Sequence, residues 1–389
     1  MKKQITSVPN YTKRTKPEQT QGEKWTVTKK RTKIAVGLSG GVDSSVAAAL
    51  LKEKGYDVTG LSMAIYNKSI GTRAAGRHAC YGPDEERDID SAADVCKILG
   101  IPFHVIDLKK EFEAQVINYF RREYLSGRTP NPCVVCNRNL KFGFLLNRAR
   151  KTGIEFDLFA TGHYARIVES GKRLVLKRAL DHSKDQTYFI YALKPEQLSS
   201  TIFPLGEYKK EQVREMARHY GLKTSDRPES QDFISGGDYS AIFEKDEVRE
   251  GEIINEKGES LGRHRGVIHY TIGQRKGLGI SSKKPLYVTD IDACQNRIIV
   301  SGKETLYSIG LIAKDLNFIS TEGINEPVKA DVKIRLQHEE AGATILPYRK
   351  NMVKVVFEEP QISVTPGQSA VFYLGNTVIG GGIIEKAVK

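Results

Sequence analysis

The residues best suited to chemistry form a short loop, SGGVDS at positions 39–44, between an apolar strand and a helix. Small and β-branched residues before the loop are typical of a buried parallel strand, and those after it favour a helix. A glycine turn that leads into a helix presents backbone N–H groups and the positive end of the helix dipole to an anion. The sequence therefore predicts a phosphate or pyrophosphate site, with a glycine-rich turn that binds nothing as the alternative.

The residue types in this loop restrict the phosphate chemistry. A kinase-type loop requires G-x-x-x-x-G-K-[ST] and a Rossmann dinucleotide site requires G-x-G-x-x-G, and neither pattern matches the loop. The loop instead resembles the pyrophosphate-binding loop of the N-type ATP pyrophosphatases. Those enzymes cleave ATP between the α and β phosphates, adenylate an oxygen of the substrate and then displace AMP with a nucleophile.

A second candidate site lies at positions 127–137, which include the pair Cys133 and Cys136. Two prolines around an asparagine favour an extended and rigid segment. The C-x-x-C spacing lets two sulfurs face one metal ion or each other. Three basic residues stand nearby and favour thiolates. Two buried cysteines without a chemical role are the alternative interpretation.

Two further motifs place polar residues where a site could form. Gly162 follows a predicted strand and would permit close approach of a nucleotide, and His163 could add a polar contact. An isolated histidine is nevertheless more often structural than functional. The motif Lys184-Asp185-Gln186 precedes an aromatic helix and by itself is typical of a solvated helix cap.

The bulk properties limit the class of protein. A length of 389 residues allows two or three domains, and the net charge of +13 fits a phosphate-rich partner. No apolar run approaches the roughly 20 residues of a membrane span, and no signal peptide is recognisable. We therefore expect a cytoplasmic protein without a membrane partner. In that compartment the five cysteines indicate catalysis, redox or metal chemistry rather than disulfides.

The chain changes character along its length. From residue 33 to about 200, strands and helices alternate, which indicates an open, mostly parallel α/β sheet with ligands at the carboxyl ends of its strands. After about residue 230, short strands between turn residues indicate an all-β region. The predicted divisions are 1–30, a disordered basic tail; 31–232, an α/β catalytic domain; 233–286, a small central domain; and 287–389, a C-terminal β-barrel.

The order of the motifs resembles that of the tRNA-specific 2-thiouridylases over residues 33–389. The matching blocks are SGGVDSSVAAALL, GRTPNPCVVCNRNLKFG, ATGHYAR, SKDQTYFIYAL, FPLGEYKKEQVREMA, RPESQDF, GRHRGVIHYTIGQRKGLGI and VTPGQSAVFY. The resemblance implies an ATP pyrophosphatase domain of the adenine nucleotide alpha hydrolase-like fold, a small central domain and a tRNA-binding barrel. It further implies an ATP-dependent enzyme that replaces O2 of wobble uridine 34 with sulfur and releases AMP and pyrophosphate.

The resemblance also implies binding residues, position by position. For ATP, accompanied by Mg²⁺, they are Gly37, Leu38, Ser39, Gly40, Gly41, Val42, Asp43, Ser44, Met63 and Gly162. For the tRNA anticodon stem-loop they are Asn131, Pro132, Cys133, His163, Lys184, Asp185, Gln186, Arg335 and Gln368. Sulfide, a sulfur-carrier protein or a cysteine desulfurase would supply sulfur, and we expect a monomer or weak dimer.

The sulfur-handling residues depart from the family pattern. Cys136 aligns with the family's catalytic cysteine, but Cys133 stands where the best-known members have an acidic residue. The segment 229–239 lacks the second cysteine of their persulfide relay. Related sulfur-inserting pyrophosphatases hold a [4Fe-4S] cluster on three cysteines, so Cys80, Cys133 and Cys136 are predicted to hold one here. A persulfide relay through Cys136 with Cys80 or Cys133, and a zinc site, are the alternatives.

Two other functions are possible from the sequence. An amidating ligase with the same loop, such as a nucleotide or NAD synthetase, would depend on ammonia and would have no need for three cysteines. A non-catalytic RNA-binding protein with a vestigial loop would not explain an intact loop. Of the remaining cysteines, Cys96 on an apolar helix face and Cys294 in a strand turn are expected to be packing residues.

Overall fold

An open parallel sheet supports the phosphate loop, as the alternation of strands and helices predicts. This computed structural model describes residues 32–70, 79–224, 232–234 and 239–389, so the predicted tail lies outside the described residues. The strands before residue 240 are β1 (Lys33–Gly37), β2 (Asp57–Ala64), β3 (Ala79–Tyr81), β4 (Phe103–Asp107), β5 (Leu158–Thr161), β6 (Ala165–Ser170), β7 (Arg173–Arg178), β8 (Thr201–Ile202) and β9 (Asp232–Ile234). The sheet order is β4-β2-β1-β5-β8, all parallel, and β3 pairs with β9 separately.

Helices cover both faces of this sheet. They are α1 (Val42–Glu53), α2 (Glu85–Leu99), α3 (Lys109–Phe112), α4 (Asn118–Leu125), α5 (Pro132–Val135), α6 (Leu145–Lys151), α7 (Thr187–Ile190), α8 (Pro195–Ser199) and α9 (Lys210–His219). π-Helical turns at Glu113–Ile117 and Cys136–Phe144 continue α3 into α4 and α5 into α6. Alternate residues of β1 enter different hydrophobic clusters, Ala35 on one side and Ile34 on the other, which is the pattern of a strand buried on both faces.

Two all-β units follow. The first contains β10 (Gly251–Asn255), β11 (Ser260–His264), β12 (Tyr287–Asp292) and β13 (Arg297–Ser301), in the order β11-β10-β13-β12. The second contains β14 (Tyr307–Phe318), β15 (Val328–Lys333), β16 (Ala341–Arg349), β17 (Met352–Ile362), β18 (Ser369–Leu374) and β19 (Thr377–Val388). Because β14 pairs with both β17 and β19, the second sheet closes into a barrel, and the predicted fold class is confirmed.

The last strand of the small central sheet is β13, and the first strand of the barrel is β14. The change between the two sheets therefore lies C-terminal to the domain division predicted at 286–287. The strands β12 and β13 hydrogen-bond to each other, and β13 pairs with β10 of the small central sheet. The barrel strands begin at Tyr307. No helix within the described ranges has the length and apolar character needed to cross a bilayer.

A hairpin from the α/β part of the chain extends the barrel sheet. Strands β6 and β7 pair with each other, and β7 meets β19 at Lys177 and Thr377. Arg178, at the end of β7, donates to Glu340 at 2.7 Å, and its guanidinium carbon lies 3.9 Å from the centre of the Tyr373 ring. This buried cation therefore joins the hairpin to the barrel through an ion pair and a cation–π contact.

We predict that Arg178→Met lowers the midpoint of thermal unfolding by several degrees, because it leaves the half-buried Glu340 with fewer charge partners. Removing one partner of such a pair costs about 2 kcal/mol when the other stays partly solvated. The matched control is Arg173→Met on the same strand, where Arg173 and Glu322 are 45% and 86% exposed. An equal shift for both variants, measured by circular dichroism, would show that the buried contact does not stabilise the junction.

Candidate functional site

The loop between β1 and α1 has the geometry of an anion site. Leu38 is held at the strand end by two bonds, its N–H to Leu61 O at 2.8 Å and its carbonyl to Ser62 Oγ at 2.7 Å. The Ser44 hydroxyl accepts from the Ser39 N–H at 3.2 Å. Gly41 is the N-cap residue of α1, and no side chain caps the helix there. A ligand at this terminus would therefore meet backbone N–H groups. The arrangement can bind a phosphate through backbone N–H groups and the helix dipole.

Gly162 lies directly against this loop. A Cβ at this position would stand 2.5 Å from Ser44 N and 2.7 Å from the Asp43 carbonyl carbon, closer than real Cβ contacts allow. Only glycine therefore fits between β5 and the start of α1. The sequence-based expectation that Gly162 permits close approach of a nucleotide stays a prediction, since the contact seen here is with the start of α1.

The residue after it, His163, faces the helix that holds the second candidate site. Its Nδ1 lies 2.7 Å from Thr161 Oγ1, and its ring centre is 6.0 Å from that of Phe142. Burial, together with the charge of Lys141, lowers the pKa of His163 well below its usual value, so the imidazole is neutral at physiological pH. His163 thus stands between the phosphate loop and the segment Cys136–Phe144.

Two residues of the Lys184-Asp185-Gln186 motif make internal bonds. The Asp185 carboxylate accepts from the Ala179 N–H at 3.0 Å and from the Thr187 hydroxyl, and burial raises its pKa. Gln186 Oε1 accepts from the Tyr164 N–H at 3.0 Å. Lys184 ends the short turn before them. These residues hold the chain around Tyr164, whereas the sequence-based expectation of tRNA contact stays a prediction.

The two cysteines of the pair lie on one helical turn. Cys133 is on α5 and Cys136 opens the π-helical turn that follows, and both are partly buried free thiols. Burial is the main cause that raises the pKa of Cys133 to about 12 and that of Cys136 to about 11. The positive charge of Lys141 lowers both thiol pKa values, but by less than burial raises them. At neutral pH the pair is therefore protonated, contrary to the thiolates that the nearby basic residues favour.

Cys80 lies close to the pair. Its charge raises the pKa of both Cys133 and Cys136, so all three sulfurs share one electrostatic environment. The side chain of Cys80, on β3, is exposed. Within the described residues, however, no three His, Cys, Asp or Glu side chains are arranged to hold one metal ion. The predicted cluster on these three cysteines stays a prediction, since a cubane binds each thiolate to a different iron.

The barrel holds the backbone that leads into the cysteine pair. Gln368 Nε2 donates to the carbonyls of Thr129 and Pro130 at 3.1 and 3.0 Å. The Asn131 amide lies 3.5 Å from Ser369 Oγ, and Pro132 is buried at the start of α5. Gly367 has φ +92°, and a Cβ there would meet Thr129 O at 2.7 Å. The loop and the barrel therefore fit closely only with glycine at this position.

Four other residues named from the sequence have clear positions. Arg335 donates to Ile272 O at 3.0 Å and to the Thr365 hydroxyl, so it bonds the barrel to the central unit. Burial lowers the pKa of Arg335. Met63 lies on β2 beside β1, partly buried against the core. Cys96 is buried as expected, but the expectation that Cys294 packs is wrong, because Cys294 is exposed in a turn.

Two residues that sequence reasoning did not single out touch the phosphate loop. Tyr164 donates its hydroxyl proton to Asp43 at 2.9 Å, and Lys210 Nζ contacts both oxygens of Asp43 at 2.8 Å. Both stand in blocks that carry the family resemblance, ATGHYAR and FPLGEYKK. Their position in those blocks is the only sequence signal for them, since neither has a distinctive spacing of its own.

Comparisons with known proteins cover almost the whole described chain. The family described as "tRNA methyl transferase HUP domain" matches residues 32–235, its "PRC-barrel domain" matches 242–302, and the "Aminomethyltransferase beta-barrel domain" matches 308–384. The tRNA-specific 2-thiouridylase MnmA of Acetivibrio thermocellus is 46% identical over 360 residues, which are 91% of this chain and 99% of the relative. MnmA 2 of a Thermoanaerobacter species is 46% identical over 364 residues, 92% and 99% of the two chains. MnmA of Endomicrobium trichonymphae is 47% identical over 357 residues, 90% and 98% of the two chains.

We predict that Cys136 reacts slowly with iodoacetamide at pH 8 and that its rate rises about tenfold per pH unit until pH approaches 11, because the thiolate is the reactive form. Peptide mass spectrometry of the native protein measures the rate. The exposed Cys294 is the internal control for reagent quality. A Cys136 rate at pH 8 equal to that of the urea-unfolded protein would contradict the assigned effect of burial.

Proposed function

This chain belongs to the tRNA-specific 2-thiouridylase family, and we propose on that basis that it is a tRNA-uridine 2-sulfurtransferase acting on wobble uridine 34. One observation carries the proposal: Gly162 abuts the phosphate loop while His163, next to it, faces Phe142 and Lys141 on the segment that begins at Cys136. The phosphate loop and the segment that begins at Cys136 thus adjoin one short stretch of chain. That is the arrangement needed to activate an oxygen and replace it with sulfur.

The first chemical step is adenylation of the base. Mg²⁺ bound with ATP would offset charge on the phosphates and favour the departure of pyrophosphate. The uridine O2 attacks the α-phosphorus, the bond to the β-phosphate oxygen breaks, and pyrophosphate leaves. Backbone N–H groups of the loop and the N-terminus of α1 stabilise the charge on the pyrophosphate. The product carries AMP on O2, so that C2 has a good leaving group.

The base has to leave the anticodon stack before it can react. Extruding a nucleotide costs a few kcal/mol, which contacts in the protein must offset. On the basis of the family resemblance we assign the receiving position to Asn131, Pro132 and Cys133, which stand at the start of α5 and precede Cys136. The net charge of +13 supports binding of the tRNA phosphates.

Cys80, Cys133 and Cys136 provide three thiol ligands, the number that a [4Fe-4S] cluster with one open iron needs. Each thiolate of such a cluster binds a different iron, so the lack of a group that could hold one ion among the described residues does not bear on it. The sulfur step that we propose uses the exposed Cys80 together with Cys136, and a cluster held by the three cysteines is the alternative that the test below decides.

In this sulfur step the exposed Cys80 receives a persulfide from a cysteine desulfurase or a sulfur-carrier protein. The terminal sulfur attacks C2, the C2–O bond breaks and AMP leaves, which gives a C2–S–S–Cys80 adduct. Cys136 then loses its thiol proton to solvent and attacks Cys80 Sγ as the thiolate, and the electron pair of the broken S–S bond forms the C2 thiocarbonyl. A Cys80–Cys136 disulfide remains, and a dithiol reductant returns it to two thiols. The electrostatic proximity of the two sulfurs supports this pairing.

We predict that Cys136→Ala and Cys80→Ala each lower formation of 2-thiouridine by at least about 100-fold, because each removes a covalent participant. The assay supplies unmodified tRNA, ATP and a persulfide donor, and mass spectrometry of nucleosides measures the product. Cys294→Ala is the matched control and should act like the wild type. Full activity of Cys80→Ala would exclude the proposed pairing, whereas failure of the wild type to release AMP with tRNA would contradict the function itself.

We also predict that protein purified without oxygen contains iron and acid-labile sulfide well below one cluster per chain, because the proposed relay uses thiols and needs no metal. Elemental analysis and visible absorbance measure this directly. Stoichiometric iron and sulfide, lost together with activity in Cys133→Ala, would instead support the cluster. The iron and sulfide content of Cys133→Ala separates the two mechanisms, whereas its activity alone does not, since Cys133 also belongs to the proposed base-receiving position.

A further inference from the structure

A buried lysine is paired with the acidic residue of the phosphate loop. Lys210 Nζ lies 2.8 Å from both carboxylate oxygens of Asp43, and the Tyr164 hydroxyl donates to Oδ1 at 2.9 Å. The Lys210 side chain is 7% exposed and that of Asp43 is 27% exposed. Because ions lose hydration when they are buried, a pair in this environment is costly unless its geometry is good. Here two contacts from the ammonium and one from a hydroxyl satisfy the carboxylate.

Packing fixes the lysine in this place. Lys210 is the first residue of α9, and its backbone N–H donates to an Asp181 carboxylate oxygen at 3.0 Å. Val213 and Ala217 on the same helix belong to the hydrophobic cluster that contains Val42 of α1. The start of α9 is thereby held against the start of α1. The Lys210 ammonium consequently reaches Asp43 without exposure to bulk solvent.

We infer that Lys210 is a positioning residue for ATP, an inference that rests on the proposed ATP-dependent function. It holds the Asp43 carboxylate to one side of the phosphate loop and neutralises its charge. Asp43 is the second residue of α1, so a carboxylate released from Lys210 would be attracted to the same helix N-terminus that binds pyrophosphate. It would also repel the triphosphate directly. The pair keeps the loop amides available and removes the repulsion.

A different role for Lys210 would be direct contact with the phosphates of ATP. The two roles predict different behaviour when Asp43 is made neutral. If Lys210 acts through Asp43, its removal has little effect once the carboxylate is an amide. If Lys210 contacts the nucleotide, its removal has the same effect in both backgrounds. A double-mutant cycle therefore separates the two roles.

The experiment measures binding of magnesium α,β-methylene-ATP by calorimetry to the wild type, Lys210→Met, Asp43→Asn and the double variant. We expect Lys210→Met to weaken binding by about tenfold or more, since one uncompensated charge near a triphosphate is worth at least that factor. In the Asp43→Asn background the same substitution should change affinity by less than about threefold. In the complete reaction, Lys210→Met should raise the KM for ATP and change kcat by less than about threefold.

Several controls keep the result specific. Lys209→Met removes an exposed lysine one residue away and should bind the analogue like the wild type. Lys210→Arg should recover most of the affinity, because a guanidinium can bond both carboxylate oxygens. If Lys210→Met does not melt cooperatively, Lys210→Gln carries the same test, since it removes the charge but keeps a hydrogen-bond donor.

Two results would overturn the inference alone while the wild type binds the analogue. One is an equal loss of affinity on Lys210→Met in the wild-type and in the Asp43→Asn background, which would indicate that Lys210 contacts the nucleotide directly. The other is unchanged affinity of a folded Lys210→Met or Lys210→Gln variant, which would indicate a purely structural pair. A wild type that binds no analogue would overturn the proposed function, and this inference with it.

Discussion

Hydrogen bonds from the barrel to the loop before α5 determine where the thiols lie. One side-chain amide, that of Gln368, bonds two consecutive carbonyls, and the Thr129 N–H donates to Pro366 O at 2.9 Å. Arg128 adds bonds to the carbonyls of Ile384 and Glu385. Each such bond contributes only about 1 kcal/mol to stability. Together they hold the loop, and with it the turn that carries Cys133 and Cys136, against the barrel.

A single stretch of chain links this barrel to the phosphate loop. Strand β5 lies in the parallel sheet, Gly162 touches the start of α1, and the next two strands join the barrel sheet. Arg178 anchors the end of that stretch beside Tyr373. The same few residues therefore fix the position of the β5 end beside the phosphate loop and the position of the barrel. This explains how a fold with separate β units can keep the phosphate loop and the segment Cys136–Phe144 beside the same stretch of chain.

Much of this architecture could be predicted because it depends on local patterns. The alternating strands and helices predicted the parallel sheet, and the glycine loop predicted its anion site. The positions of Gln368 and Arg335 could be taken only from the family resemblance, which implied tRNA contact. Both side chains bond protein groups, and binding of tRNA by them is untested. Hydrogen-bond partners hundreds of residues apart, such as Gln368 and Thr129, leave no spacing that a single sequence reveals.

The sequence by itself determined the chemistry that is available: a phosphate loop, a C-x-x-C pair, an extra cysteine and a β-rich C-terminal half. Those features depend on residue type and short-range order, which a sequence states directly. Tertiary structure alone decided the protonation of the pair, because burial raises the thiol pKa values despite the nearby positive charge. It also decided that Lys210 meets Asp43, since helix packing brings the two residues together. Desolvation and long-range packing depend on the folded chain, and no local pattern encodes them.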